Sequence, residues 1–205
     1  MSNHIVDEPA HWPVVASAEQ YRGKIISVRT DTVRVPEGTT TEREVVEHPG
    51  AVGIVALDDD DRVLMIRQYR HPVGRELWEL PAGLRDVAGE PTAQTGRREL
   101  LEETGYRARD WHVLADYFSS PGIITERLRV FLARGLEEVP EADRDFVPEN
   151  EEAHLVLDWV PLDRAVSLVL AGDLHNGVAV VGLLAAHTAR QNGFAGLRDA
   201  DAPEQ

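Results

Sequence analysis

The chain has 205 residues, 42% hydrophobic and 28% charged, with 16 Gly and 12 Pro. That balance excludes disorder and collagen-like repeats, and at this length a folded chain buries roughly 70% of the surface its unfolded form exposes. Lys and Arg number 21 against 36 Asp and Glu, a formal net charge of -15, which repels phosphate backbones and anionic lipid and leaves neither nucleic acid nor a membrane as an expected partner. The absence of Cys excludes disulfides, thiolate zinc sites and thiol nucleophiles. The longest strongly apolar stretch, residues 178–186, falls short of the about 20 residues a bilayer crossing needs. The first residues lack the basic and apolar regions of a signal peptide, so the reading is a soluble, cytoplasmic protein.

Residues 1–20 carry Pro9 and Pro13 and few periodic apolar positions, which predicts a flexible arm. Over 21–48, two strand-like runs flank Pro36 and Gly38 and predict a small antiparallel β subdomain. AVGIVAL and RVLMIRQY, separated by the acidic turn at 58–61, read as a hairpin whose second strand is covered on both faces near its start. A short apolar run at 77–80 enters Pro81-Ala82-Gly83 and then a loop with few apolar anchors. Pro91 in the first turn and Gly105 as a left-handed stop bracket a helix. In it Ala93, Gly96, Leu100 and Thr104 form one stripe, widened by Leu101, while Glu99, Glu102 and Glu103 lie off it. Strands follow at WHVLADYF, RLRVFLAR and HLVLDWV, helices at about 162–171 and 178–191, and a polar, disordered tail at 196–205.

The chemistry concentrates in Arg98-Glu99-Leu100-Leu101-Glu102-Glu103-Thr104-Gly105. On a helix, Glu99 and Glu103 stand four residues apart and Glu102 three from Glu99, so the carboxylates share one patch of surface. Like charges at that spacing repel, and a solvated acidic face is the plain explanation. The preceding Pro-Ala-Gly turn, the glycine-containing loop and Glu90 weigh against it, because they can fold back over the acids and present carbonyl oxygens. Carboxylates, a carbonyl and water suit a hard cation such as Mg²⁺. Arg98, four before Glu102, can hold one carboxylate in place.

The stretch from Gly83 through Glu90 to Arg98-Glu99-Leu100-Leu101-Glu102-Glu103-Thr104-Gly105-Tyr106 resembles the Nudix box, the signature of hydrolases that cut a nucleoside diphosphate linked to another group. It departs from the usual pattern twice. Six residues separate Gly83 from Glu90, one more than in the commonest form, and Gly96-Arg97 stands where the family often has two alanines. A helical Gly costs up to about 1 kcal/mol. Outside the box, Ser120-Pro121-Gly122, with its proline sixteen residues beyond Gly105, resembles the marker of the ADP-ribose pyrophosphatase subfamily. REVVEHPGAVGIVAL and QYRHPVGRELWELPAGL are similar to the same subfamily.

The resemblance covers residues 24–190 approximately and implies an α+β Nudix fold, a mixed β-sheet sandwiched between α-helices, over 49–195. It also implies that the N-terminal β subdomain pairs two subunits into a homodimer with the small-molecule nucleoside diphosphate substrate at the interface. The implied reaction is Mg²⁺-dependent hydrolysis of the ADP-ribose pyrophosphate to AMP and ribose 5-phosphate, with Mn²⁺ as the alternative metal. Glu99, Glu103 and the carbonyl of Ala82 are the expected metal ligands. Glu151, in the polar run Glu149-Asn150-Glu151-Glu152, is the expected catalytic base swinging over the metals, preferred to Glu149 and Glu152. Arg70 is the expected phosphate or ribose contact, with a strand-end salt bridge as its other reading. Glu102, held by Arg98, plays a supporting part. Alternatives are another diphosphate, such as a nucleotide sugar or reduced nicotinamide dinucleotide, and a non-hydrolytic nucleotide sensor.

Overall fold

The computed structural model describes residues 5–144 and 155–204, and they divide between two units, Met1–His48 with Ser120–Thr125 and Pro49–Ser119 with Glu126–Gln205. In the first unit, β1 (Val14–Arg22), β2 (Ser27–Arg34) and β3 (Thr40–Glu47) form an antiparallel sheet in that order. The sheet starts earlier than the sequence suggests, since residues 14–20 pair as a strand where a flexible arm is expected. Every residue of β1 is exposed, so it has no apolar alternation to betray it, and its order comes from the backbone ladder to β2. Ser120–Thr125 joins this unit through the Val46 N–H to Ile123 O bond of 2.8 Å and the Thr125 N–H to Val46 O bond of 2.9 Å.

The second unit runs β4 (Ala51–Ala56), β5 (Arg62–Arg70), β6 (Arg75–Glu79), β7 (Ala82–Leu84), α1 (Thr92–Thr104), β8 (Tyr106–Phe118), β9 (Arg127–Glu138), β10 (Val156–Pro161), α2 (Leu162–Ala171), α3 (Gly177–Gln191) and β11 (Arg198–Asp199). A five-stranded sheet is ordered β11-β8-β9-β4-β7, with β4 parallel to β9 and the other pairs antiparallel. A second, antiparallel sheet is ordered β10-β5-β6. The hairpin expected of β4 and β5 therefore does not form. Their turn closes with one bridge, Leu57 to Val63, and the strands then part, because both edges of β4 are taken by β7 and β9.

β4 is a continuous apolar run because both its faces are covered. Val52, Ile54 and Ala56 share a core with Ala93 and Leu100 of α1 and with Trp111 and Phe131. Val55 packs with Val130, Leu132 and, from α3, Ala179 and Leu183. The mixed sheet thus lies between helices, as expected. Gly96 is explained by this packing, since a Cβ there would stand 3.2 Å from the Phe131 ring and 3.3 Å from Trp111. The glycine lets α1 sit close to the sheet, and the Arg97 guanidinium then lies 5.5 Å from the Trp111 ring centroid.

Residues 198–204 are ordered rather than a disordered tail. β11 pairs with β8, Ala200 is buried, and Arg129, only 3% exposed, donates to Ala202 O at 2.7 Å and to Asp116 at 2.7 and 2.9 Å. Arg198 donates to the same Asp116 at 2.8 Å. A buried Arg bonded to a carbonyl 73 residues away leaves no local sequence signal. Burial pushes the Asp116 carboxyl up, but the bonds from Arg129 and Arg198 outweigh it and hold the group below its usual range. A lowered value means that the stability it contributes is present above the unfolded pKa of about 3.9 and is lost as pH falls through the folded value. Asp116→Asn is expected to cost about 3 kcal/mol near neutrality, because Arg129 is left buried without its counter-charge. Urea unfolding followed across pH should show that penalty shrinking in acid.

Candidate active site

α1 presents its acids to β7 and the turn before it. β7 is fixed by pairing with β4 (Gly53 to Ala82, Ala51 to Leu84), and the Ile54 N–H donates to Pro81 O at 2.8 Å. Glu103 Oε2 accepts the Ala82 N–H at 2.8 Å. Glu99 reaches the same backbone, since a Cβ built on Gly83 would stand 1.9 Å from its Cδ and 2.2 Å from its Oε1. The glycine is therefore a spacing requirement, as any side chain at 83 would occupy the place of the carboxylate. Two acids one helical turn apart thus converge on a single strand-turn peptide, and the hydrogen bond to Glu103 there is made by the Ala82 N–H rather than through the carbonyl expected from the sequence.

Arg98 ties the acids together. Its guanidinium lies 2.7 Å from Glu99 and 2.9 Å from Glu102, and donates to Glu90 through Nε and Nη2 at 3.3 Å each. The sequence linked it to Glu102 alone. Glu90 also accepts the Thr95 hydroxyl at 2.9 Å. The Arg98 bonds hold the Glu90 carboxyl below its usual range against the opposing effect of burial. Burial in turn works against the Arg98 charge, but the bond to Glu90 and the fields of Glu99 and Glu102 raise its pKa above the ordinary guanidinium value. The helix ends at Gly105, whose φ of 74° lets its N–H close on Leu101 O at 2.8 Å.

Among the described residues, no group of three or more His, Cys, Asp or Glu side chains is arranged to hold a metal ion. Glu99 and Glu103 nevertheless bring carboxylate oxygens together at the Ala82–Gly83 backbone, with the Glu99 carboxylate filling the space a side chain at 83 would take, and such hard oxygens are the kind that Mg²⁺ or Mn²⁺ prefers. Glu151, with its neighbours Glu149 and Glu152, lies outside the described residues.

Arg70 makes the strand-end pair weighed for it. Its Nε donates to Glu79 Oε1 at 2.9 Å and its Nη2 to Oε2 at 2.6 Å. Glu79 is 1% exposed, and a carboxylate so buried requires such a partner. Sequence reasoning missed Glu79, although a single acid inside Leu77-Trp78-Glu79-Leu80 signals a paired, buried charge.

A mixed sheet between helices, with the acids of one helix closed onto a glycine-bearing turn, is the arrangement of the NUDIX domain. The model of that family matches residues 47–179, and the chain belongs to it. The chain is 48% identical over 189 residues to the ADP-ribose pyrophosphatase of Mycobacterium tuberculosis, covering 91% of this chain and 88% of that protein. It is 36% identical over 165 residues to the ADP-ribose pyrophosphatase of Bacillus subtilis, covering 79% and 85%. A solved structure described as an ADP compounds hydrolase shares the fold with a TM-score of 0.72 at 22% identity, over 92% of this chain and 99% of that one.

Proposed function

We propose that this Nudix hydrolase cleaves the pyrophosphate of ADP-ribose with water, giving AMP and ribose 5-phosphate, in the presence of Mg²⁺ or Mn²⁺. The reading is carried by the convergence of Glu99 and Glu103 on the Ala82–Gly83 backbone, in a chain 48% identical to a protein named for that activity. Glu99, Glu103 and the Ala82 carbonyl would hold the cation, which when bound neutralises the diphosphate and acidifies a water. Arg98 keeps the clustered carboxylates from repelling one another and fixes Glu99 and Glu102. Glu151 takes a proton from the attacking water. The water oxygen forms a bond to one phosphorus as the bridging P–O bond breaks, and the second phosphate leaves with the bridging oxygen. Arg70, oriented by Glu79, makes paired bonds to a phosphate or the ribose.

The reading extends to assembly and setting. The exposed Val14, Val15, Tyr21 and Ile25 of the first unit support a homodimer formed through the N-terminal sheet. No helix among the described residues is long and apolar enough to cross a membrane, and the net charge of -15 disfavours nucleic acid. We place the enzyme in the cytoplasm.

Chromatographic product analysis tests the substrate. ADP-ribose, a nucleotide sugar and reduced nicotinamide dinucleotide are compared in Mg²⁺, with fastest cleavage expected for ADP-ribose. Saturable binding of ADP-ribose without cleavage would overturn the reading in favour of a sensor. Glu151→Gln is expected to lower kcat by about 10²-fold or more with KM little changed. Full activity in that variant would move the proton acceptor elsewhere.

A further inference from the structure

Residues 85–91 connect β7 to α1, carry Glu90, and form the part of the box that is one residue longer than its commonest form. The backbone of this loop is lightly held, with the Arg85 N–H on Gly50 O at 3.0 Å and the Glu90 N–H on Val87 O at 3.1 Å. Both ends of the loop meet one carboxylate. Glu204 Oε2 accepts Arg85 Nη1 at 3.0 Å and its Oε1 accepts the Thr92 hydroxyl at 2.8 Å. Arg127 Nε stands 3.5 Å from the same Oε2. Thr92 is the first residue of α1 and no side chain caps that helix, so its hydroxyl serves the Glu204 contact instead. A carboxylate beside the first helical turn is also favoured by the helix dipole.

Glu204 is a firm anchor because its own segment is tied down by the β11–β8 ladder and by Arg129 on Ala202 O. Burial pushes its carboxyl up, and the Thr92 and Arg85 bonds outweigh that effect and hold it below the usual range, so it is charged at neutrality. On the site side of the clamp, Arg85 lies two residues beyond Gly83. From Thr92 the helix leads to Thr95, which bonds Glu90, and Glu90 bonds Arg98, which meets Glu99.

We propose that Glu204 is a positioning residue of the active site: it closes residues 85–91 at both ends and so sets the register between the Ala82–Gly83 backbone and the acids of α1. Its catalytic meaning rests on the functional reading above, whereas the clamp itself does not. The test uses the full chain with Glu204→Gln and, separately, Thr92→Val. Hydrogen–deuterium exchange is read alongside Mn²⁺ binding, followed by the electron paramagnetic resonance signal of free Mn²⁺.

In Glu204→Gln the amides of 85–91 are expected to exchange about tenfold faster, the factor set by losing one charge-assisted bond. β4 and β9 should stay as protected as in the parent. Mn²⁺ affinity should fall several-fold in both variants, and kcat should fall more than KM rises. Unchanged exchange over 85–91 overturns the proposal, and so does faster exchange throughout the chain, which would report general loosening. A parent protein that leaves ADP-ribose intact would remove the functional reading, while exchange and Mn²⁺ affinity would still decide the clamp.

Discussion

Glu103→Gln is expected to lower Mg²⁺-dependent turnover of ADP-ribose by roughly two to three orders of magnitude, the several kcal/mol that metal stabilisation of a transition state supplies. The substitution is nearly isosteric. Glu103 lies off the buried stripe of α1, and its Oε2 accepts the Ala82 N–H at 2.8 Å, a bond that an amide oxygen can also accept. What disappears is one of the two negative charges facing the Ala82–Gly83 backbone. Thermal unfolding should therefore stay close to that of the parent while steady-state turnover collapses. Near-normal rates in Mg²⁺ would remove the helix acids from the chemistry.

Gly83→Ala should cut activity by about 10²-fold, the scale of loss that follows a displacement of about 1 Å at a reacting centre. Its new Cβ would fall 1.9 Å from Glu99 Cδ, and the atoms in the way are the far end of a flexible side chain. The strand can keep its pairing with β4 while the carboxylate swings out. Stability should change little, as circular dichroism melting would report. Because the damage passes through Glu99, adding Gly83→Ala to Glu99→Gln should cost almost nothing more. Fully additive losses would show that Gly83 acts by another route.

The parts of this molecule that could be read from sequence are those encoded locally. In α1, Ala93, Gly96, Leu100 and Thr104 are all buried, and Gly105 supplies the left-handed stop. α2 spans Leu162–Ala171 as the periodicity predicts, and α3 starts at Gly177, one residue before its expected start at 178, where Asn176 Oδ1 caps the Ala179 N–H at 2.9 Å. The acids of α1 are legible for the same reason, since helical spacing fixes which carboxylates share a face, whereas Gly83 stands out only through the resemblance to the Nudix box. What stayed hidden depends on partners distant in sequence. β1 is exposed along its length, β4 abandons its hairpin because better ladders lie on both sides, and the bonds of Arg129 and Glu204 join residues far apart in the chain. Arg70 was noticed without the buried Glu79 that holds it.

β4 has no side facing water, with Val52 and Ile54 packed toward α1 and Val55 toward α3. It also carries the short strand from which Ala82 and Gly83 reach the acids. A change of volume at Val52 or Ile54 is therefore felt in the core beneath α1, one at Val55 in the core beneath α3, and either acts on the strand that holds Ala82 and Gly83 in place. This strand is the keystone of the molecule and the poorest place for natural or engineered variation.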